Sequence, residues 1–530
     1  MLNTSSASNL PDNIDALKAL LAAQQEQIET QKQQIESKEH EIQSKEQKIQ
    51  SLTGKIEAIQ EQLRLAISKQ FGPSTEKYIP EQKDLFFNEA EAQVIKAKQD
   101  GKTTKVASHN RKKKGRVALP PELPRVEVIH DIAEDEKVCP HDGHTLHKIG
   151  EEVSEQLELI PAKIQVIRNI RYRYGCRECE QTIKTVPAPK QILPKSIATP
   201  ELLAHILVSK YQDALPLYRQ EGILKRYGIN LPRATLSNWV LKVSESIQPL
   251  INLMKDRLLQ GPVIYCDETP VQVLKAKKKA SAKSYMWVQV GGLDKQSVIL
   301  FDYASSRSQQ VPLQLLADYQ GILMTDGYEA YNAVVNKETI THVGCWAHVR
   351  RKFDEANKGS STPSPLATQA LEMIADIYDI ERDIKGMPPD ERQAIRQKQS
   401  QPVLNQLRQW LIEHQPQVPP ESLLGKALYY LDSQWPKLIR YVKDGHTPID
   451  NNRAENAIRP FVVGRKNWLF ANTVKGATAS ANLYSLIETA KANGQEPFAY
   501  LTHILRQLPY AKAIEDYEVL LPWQCPNQAE

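Results

Sequence analysis

Residues 263–327 impose an order of elements that few folds satisfy. Val263-Ile-Tyr-Cys-Asp267-Glu268-Thr269 reads as a short apolar strand ending on two acids. A lysine-rich turn follows (Lys275, Lys277, Lys278, Lys279, Lys283), then two more strands, Tyr285 to Val290 and Ser297 to Tyr303, which pair as a meander. A helix over about 308–319 leads to a fourth strand, Gly321-Ile-Leu-Met-Thr-Asp326-Gly327. Three strands, a helix and a strand ending on Asp is the element order of the ribonuclease-H-like fold, whose first and fourth strands lie side by side. Asp267 and Asp326 are therefore predicted to face each other. With 63 acids in the chain some pair always looks suggestive, so it is the order of elements that selects this one.

Thr341 to Phe353 reads as a fifth short strand running into a basic helix, after which a largely helical stretch over about 360–440 interrupts the core. The core resumes at Thr447 to Pro460, where Asp450, Asn451 or Asn452 caps a helix, Glu455 sits in its early turns and Arg459 lies one turn on. Pro460 is expected to end or kink that helix. The plainer reading of Glu455 is a surface ion pair with Arg459. Three carboxylates converging at a sheet edge suit a different task, holding two divalent ions roughly 3.5 to 4 Å apart for chemistry on a phosphodiester. Hard oxygen ligands favour Mg²⁺ or Mn²⁺. Phosphate contacts are expected from the lysines of 275–283 and from Arg350, Arg351, Lys352, Arg453, Arg459, Arg465 and Lys466.

From about Asn13 to Ile67, Gly and Pro are nearly absent and apolar residues return every seven positions: Leu21, Ile28, Ile35, Ile42, Ile49, Ile56, Leu63. This predicts a long helix with a coiled-coil seam. With those residues at position a, the d positions are Gln24, Gln31, Lys38, Lys45, Leu52, Ile59 and Ala66, so a dimer zips mainly through Leu52 to Leu63. A solvated single helix is the rival reading, because Gln and Lys at d weaken a seam. Past Phe71-Gly72-Pro73, residues 102–116 hold seven Lys or Arg and no acid. Lys112, Lys113, Lys114 and Arg116 are candidate phosphate contacts there, against the alternative of a solvated arm. Pro120, Pro121 and Pro124 mark a linker.

The next module carries Cys139-Pro-His-Asp142 and Cys176-Arg-Glu-Cys179, separated by strand-like runs from Val153 to Ile160 and from Ile164 to Tyr174. Two knuckles on hairpins follow the zinc-ribbon plan, with Cys139, Cys176 and Cys179 as ligands. The fourth ligand is Asp142, His144 or His141, or is absent; the alternative is a metal-free hairpin domain with incidental thiols. Three of the six cysteines cluster here, as a metal site in a reducing compartment requires, rather than being spread as a disulfide framework. No run approaches 18 apolar residues and the first residues resemble no signal peptide, so a cytoplasmic protein with no membrane partner is expected. Downstream, Leu217 to Tyr227 reads as a helix stopped by Gly228, and a second helix restarts near Pro232. That layout is a helix-turn-helix presenting Arg233, Thr235, Ser237 and Asn238 to a major groove, unless it is an ordinary helical hairpin. The net charge of +5 does not by itself identify a nucleic-acid binder.

Several strings then converge on one family. Cys266-Asp267-Glu268-Thr269-Pro270-Val271, Thr325-Asp326-Gly327-Tyr328, Cys345-Trp346-Ala347-His348-Val349-Arg350-Arg351, Asp450 through Glu455 to Pro460, Gly464-Arg-Lys-Asn-Trp468 and Tyr484 to Gly494 resemble the DDE transposase of the bacterial insertion sequence family sixty-six. The resemblance runs nearly end to end. It implies Asp267, Asp326 and Glu455 as the catalytic triad and places the helical insertion before the third acid. It also implies a multimer that binds terminal inverted repeats in double-stranded DNA, frees a 3′-hydroxyl by hydrolysis and joins it to target DNA, with accessory proteins of the same element as further partners. Asp142, at a usual Cys position, departs from the pattern. Rival functions are a catalytically lapsed DNA-binding regulator and a nuclease without joining activity.

With 530 residues there is room for several domains. The expected organisation is multidomain α+β. A coiled-coil oligomerisation helix spans 1–80, a basic linker 81–124, a zinc-ribbon-like domain 125–190 and a helix-turn-helix region 191–257. A ribonuclease-H-like α/β catalytic core occupies 258–355 and 445–490 around a helical insertion over 356–444, and a C-terminal helical segment covers 491–530.

Overall fold

The computed structural model describes residues 14–71, 164–175, 183–276, 283–335, 339–360 and 362–526. The chain divides into two compact units, residues 1–74 with 172–530, and residues 75–171. The predicted sites at Cys139, Asp142, Cys176, Cys179, Lys112, Lys113, Lys114, Arg116, Lys277, Lys278 and Lys279 lie outside the described residues, as does the expected strand from Val153 to Ile160. Among the described residues no helix is long and apolar enough to cross a membrane.

Helix α1 (Ile14–Phe71) takes in the whole heptad region. Its a-position side chains stay open to solvent, from Leu21 at 58% to Leu63 at 59% exposed. Near its C-terminal end the helix meets the body: Leu65 is buried, and Glu61 Oε2 accepts a hydrogen bond from the Leu423 backbone N–H at 2.9 Å. A short antiparallel pair, β1 (Arg173–Gly175) and β2 (Ile183–Thr185), comes next. The strand expected from Ile164 to Tyr174 is confined to its last residues; 164–172 have no regular structure.

Four helices follow: α2 (Pro200–Tyr211), α3 (Leu217–Arg226), α4 (Arg233–Ser246) and α5 (Gln248–Leu259). Gly228, at φ +79°, ends the turn after α3 in a conformation that side chains resist. Helix α4 buries Leu236, Trp239, Val240 and Val243 and leaves Arg233, Ser237 and Asn238 exposed, with Thr235 half-buried.

The central sheet contains β3 (Val263–Val273), β4 (Ser284–Leu293), β5 (Gln296–Ala304), β6 (Gly321–Thr325) and β7 (Ile340–Gly344), in the order β5-β4-β3-β6-β7. Pairings among β3, β4 and β5 are antiparallel, whereas β6 joins β3, and β7 joins β6, in parallel. The connections include short helices α6 (Gln310–Leu315) and α7 (Asn332–Val335), α6 being shorter than the 308–319 segment expected. Strand β3 also runs past Thr269, where the sequence suggested it would stop. Its backbone stays paired with β4 as far as Val271, and Gln272 and Val273 then pair with β8 (Phe470–Ala471). Asp267 is thus a mid-strand residue.

Helix α8 (Trp346–Gly359) leads into the predicted helical insertion, α9 (Pro365–Asp383), α10 (Pro389–Ile395), α11 (Gln401–His414) and α12 (Leu423–Leu438). The chain returns through α13 (Asn452–Trp468), α14 (Val474–Ala492), α15 (Pro497–Gln507) and α16 (Ile514–Glu518). Pro460 does not end α13, which continues to Trp468. Phe461, directly after it, is fully buried with its ring 5.4 Å from that of Tyr484, and such packing offsets the hydrogen bond that proline removes.

Helix α14 covers the outer strand of the sheet. Ser485, Thr489 and Asn493, four apart on one face, accept hydrogen bonds from the backbone N–H groups of Phe301, Ile299 and Ser297 at 2.7, 2.9 and 3.2 Å. The edge of β5 is therefore satisfied by helix side chains, and no strand template is left open there.

Candidate active site

The parallel register of β3 with β6 pairs Val263 with Ile322 and Tyr265 with Met324. Continued past those residues, it sets Asp267 beside Asp326, as the sequence predicted. Both acids are half-buried, and each carboxylate is oriented by its own strand end: Asp267 Oδ1 accepts from the Glu268 backbone N–H at 2.8 Å, and Asp326 Oδ1 from that of Tyr328 at 2.9 Å. Beneath Asp326, buried His342 contacts Thr325 Oγ1 through Nε2 at 2.8 Å, and that hydroxyl donates to the Asp326 carbonyl. Burial pushes the His342 pKa down to about 3, so the ring is neutral and its Nε2–H is the donor to Thr325.

Glu455 arrives from beyond the insertion, on the first turn of α13. Asn451 occupies the N-cap position, but its side chain does not cap the helix. It donates instead from Nδ2 to the Cys266 carbonyl at 2.8 Å, next to Asp267, while its backbone N–H meets Cys345 Sγ at 3.3 Å. The backbone N–H of Trp346 bonds to the Ile449 carbonyl at 3.1 Å. These contacts stitch the start of α13 to β3 and to the β7–α8 junction. Asn451→Ala is expected to cost about 1–3 kcal/mol, because it strands a buried carbonyl. The same change should lower activity further than stability loss explains, since Glu455 loses its tether. Urea unfolding set beside rate measurements separates the two effects.

The charges of Asp326 and Glu455 both act on Asp267. Burial, then the neighbouring Glu268, then those two acids, push its pKa up to about 8. Its folded value lies above that of an unfolded carboxylate, so stability is lost as pH rises from about 4 to about 8. In a chelator, Asp267→Asn is therefore expected to raise Tm, by roughly 5 °C at pH 8 and by little at pH 4. Thermal unfolding across that range checks this, and a gain independent of pH would count against it.

Glu268 does different work. Its side chain is almost wholly buried, accepting from Arg307 Nε at 2.8 Å and from the Tyr331 hydroxyl at 2.7 Å. The Arg307 guanidinium also stacks over the Tyr328 ring at 3.6 Å. A satisfied buried acid of this kind fixes the backbone that carries Asp267. Glu455 pairs with Arg351 of α8 at 3.2 Å, a partner from outside its own helix.

These geometries stand beside a match over most of the folded body. Residues 195–479 match the family model described as "Transposase IS66 family". The chain belongs to the IS66 transposase family. Further matches to IS66 elements are the "zinc-finger binding domain of transposase IS66" at 136–180, the "IS66 C-terminal element" at 485–523 and "Transposase C of IS166 homeodomain" at 58–128. Curated relatives come from Sinorhizobium fredii (strain NBRC 101917 / NGR234). "Uncharacterized protein y4jD" is 35% identical over 419 residues, 76% of this chain and 81% of that protein. "Uncharacterized protein y4hP" is 30% identical over 484 residues, covering 88% and 84% of the two chains. "Uncharacterized protein y4qI" is 28% identical over 535 residues, covering 97% and 98%.

The zinc-finger match takes in Cys139, Asp142, Cys176 and Cys179, and zinc use follows from the family. The homeodomain match covers the basic run that sequence reasoning treated as a linker. Among the other basic residues expected to meet DNA in this IS66-family chain, Arg351, Lys352, Arg453 and Lys466 are exposed, whereas Arg350, Arg459 and Arg465 are half-buried. The Arg453 guanidinium lies 5.1 Å from the Tyr265 ring centroid. Arg465 donates to Thr269 Oγ1 at 2.9 Å and to the Pro270 carbonyl, so it pins α13 to β3.

Proposed function

We propose that this chain is the DNA transposase of an insertion sequence, with Asp267, Asp326 and Glu455 as its catalytic carboxylates on a ribonuclease-H-like core. The observation that carries the reading is the Asn451 clamp on Cys266, which anchors the helix bearing Glu455 beside two acids already in register. The strand order, with two antiparallel pairings followed by two parallel ones, supports the ribonuclease-H-like assignment.

Carboxylate oxygens are hard ligands, and Glu455 Oε1 is buried without a hydrogen-bond partner, so the residues fit a divalent cation. Two Mg²⁺ or Mn²⁺ ions bound there would activate an attacking oxygen and stabilise the leaving oxygen of a phosphodiester. The chain's own residues hold the acids: Arg307 and Tyr331 fix Glu268 beneath Asp267, and Arg351 steadies Glu455. Arg350, Lys352, Arg453, Arg459 and Lys466 supply contacts to DNA phosphates, joined by Lys112, Lys113, Lys114, Arg116, Lys277, Lys278 and Lys279. Helix α4 offers Arg233, Thr235, Ser237 and Asn238 to base edges. Zinc is held by Cys139, Cys176 and Cys179 with Asp142, and the exposed heptad stripe of α1 joins two copies of a cytoplasmic protein.

The test is a joining assay with labelled element ends and a target plasmid. A transposase gives end-joined plasmid, a nuclease gives nicked ends without joined product, and a lapsed regulator gives bound but intact ends. Either of the last two results removes the proposal.

A further inference from the structure

The junction of β7 and α8 carries a second donor set that the carboxylate triad does not account for. Cys345 is the N-cap of α8 and His348 lies three residues on, so both side chains leave the same face of the first turn. Glu455 reaches the same point from α13. Cys345 Sγ, a ring nitrogen of His348 and a carboxylate oxygen of Glu455 all lie within 4.8 Å of one another.

Two atoms of this set lack a hydrogen-bond partner. His348 Nδ1 and Glu455 Oε1 are buried without hydrogen-bond partners, and the 3.7 Å between them is too long for a hydrogen bond. Each such orphaned atom costs about 1–3 kcal/mol unless something fills the gap. Burial holds the His348 ring below the ordinary imidazole range, so at neutral pH it presents a lone pair. Burial and the charge of Asp450 push the Cys345 thiol up to about 12, so the sulfur keeps its proton until a cation displaces it. Sulfur, nitrogen and oxygen in a three-ligand set with an open position suit zinc-class ions and exclude Mg²⁺, which takes oxygen ligands. Arg351 near Glu455 opposes a cation, while Asp450 and Asp326 favour one.

We infer that Cys345, His348 and Glu455 form a binding site for a zinc-class ion, separate from the zinc-finger segment, and that its occupancy draws Glu455 away from Asp267 and Asp326. Binding releases the Cys345 thiol proton to solvent and involves no change of oxidation state. The inhibitory consequence rests on the catalytic role proposed for Glu455; the binding itself does not.

Cobalt titration of the full chain, with zinc supplied only to the zinc-finger segment at one equivalent per chain, tests the site. A thiolate-to-cobalt charge-transfer band is expected in the wild type and in Cys176→Ser, and is expected to vanish in Cys345→Ser. His348→Gln, which leaves the buried sulfur in place, should weaken cobalt binding at least tenfold, and it serves if Cys345→Ser fails to fold. A band unchanged in both variants overturns the site. In parallel, zinc is added to Mn²⁺-supported cleavage, with each variant normalised to its own zinc-free rate. At least roughly tenfold more zinc is expected for half-inhibition of Cys345→Ser than of wild type. A cobalt band lost in Cys345→Ser, together with cleavage that zinc leaves untouched, keeps the site and overturns the catalytic role of Glu455.

Discussion

Asp267→Asn should abolish strand cleavage and joining, by roughly 10³-fold or more, while leaving the binding of element ends within a few-fold of wild type. The substitution keeps the shape of the side chain and the oxygen that accepts from Glu268 N–H. It removes one of three clustered negative charges. That cluster is costly in the absence of a cation, as the raised pKa of Asp267 records, and a cation is what offsets the cost. On the proposed reading, end binding is carried by groups elsewhere, on α4 and in the basic segments, and does not need the charge. Single-turnover cleavage and band-shift assays on the same preparation make the comparison. Cleavage within tenfold of wild type would remove Asp267 from the reaction.

Arg396→Ala should cost about 3–5 kcal/mol. The side chain is wholly buried, donates to both oxygens of Glu381 at 2.7 and 2.6 Å, and donates through Nη1 to the carbonyls of Tyr441 and Asp444 at 3.0 and 2.8 Å. Removing it leaves a poorly solvated carboxylate and takes a donor from both carbonyls, of which that of Asp444 keeps the Thr447 N–H at 3.3 Å. It also frees the segment running from Tyr441 to Asp450, immediately before the Asn451 clamp, so activity should fall with stability. The double change Arg396→Met with Glu381→Leu removes both charges together and should recover most of the loss. Urea unfolding of the three proteins decides this. An Arg396→Ala protein within 1 kcal/mol of wild type would show that the pair does not hold the insertion in place.

What could be read in the sequence follows from how local its causes are. The succession of strands around Asp267 and Asp326, the seven-residue stripe of α1, and the break at Gly228 are all set by neighbouring residues, and the described chain has each of them. Other features depend on partners far along the chain. Strand β3 extends past Thr269 because Phe470 and Ala471 come to pair with its end, which no local pattern announces. Asn451 reads as a helix cap, yet its amide is spent on the Cys266 carbonyl. Pro460 reads as a helix end, yet packing of Phe461 carries α13 through it. Glu268 stands beside Asp267 in the sequence as an apparent equal, and only its burial against Arg307 and Tyr331 separates their roles. A faint signal did exist for one missed feature. Cys345 and His348, three apart at a strand-to-helix junction, have the spacing of paired ligands on one helical face.

The most direct test of the central proposition is anomalous diffraction from Mn²⁺-soaked crystals of the chain bound to a cleaved element end. Manganese peaks are expected among the carboxylates of Asp267, Asp326 and Glu455, with Glu455 turned toward them and away from Arg351. Peaks absent from that position, with Glu455 still paired to Arg351, would contradict it.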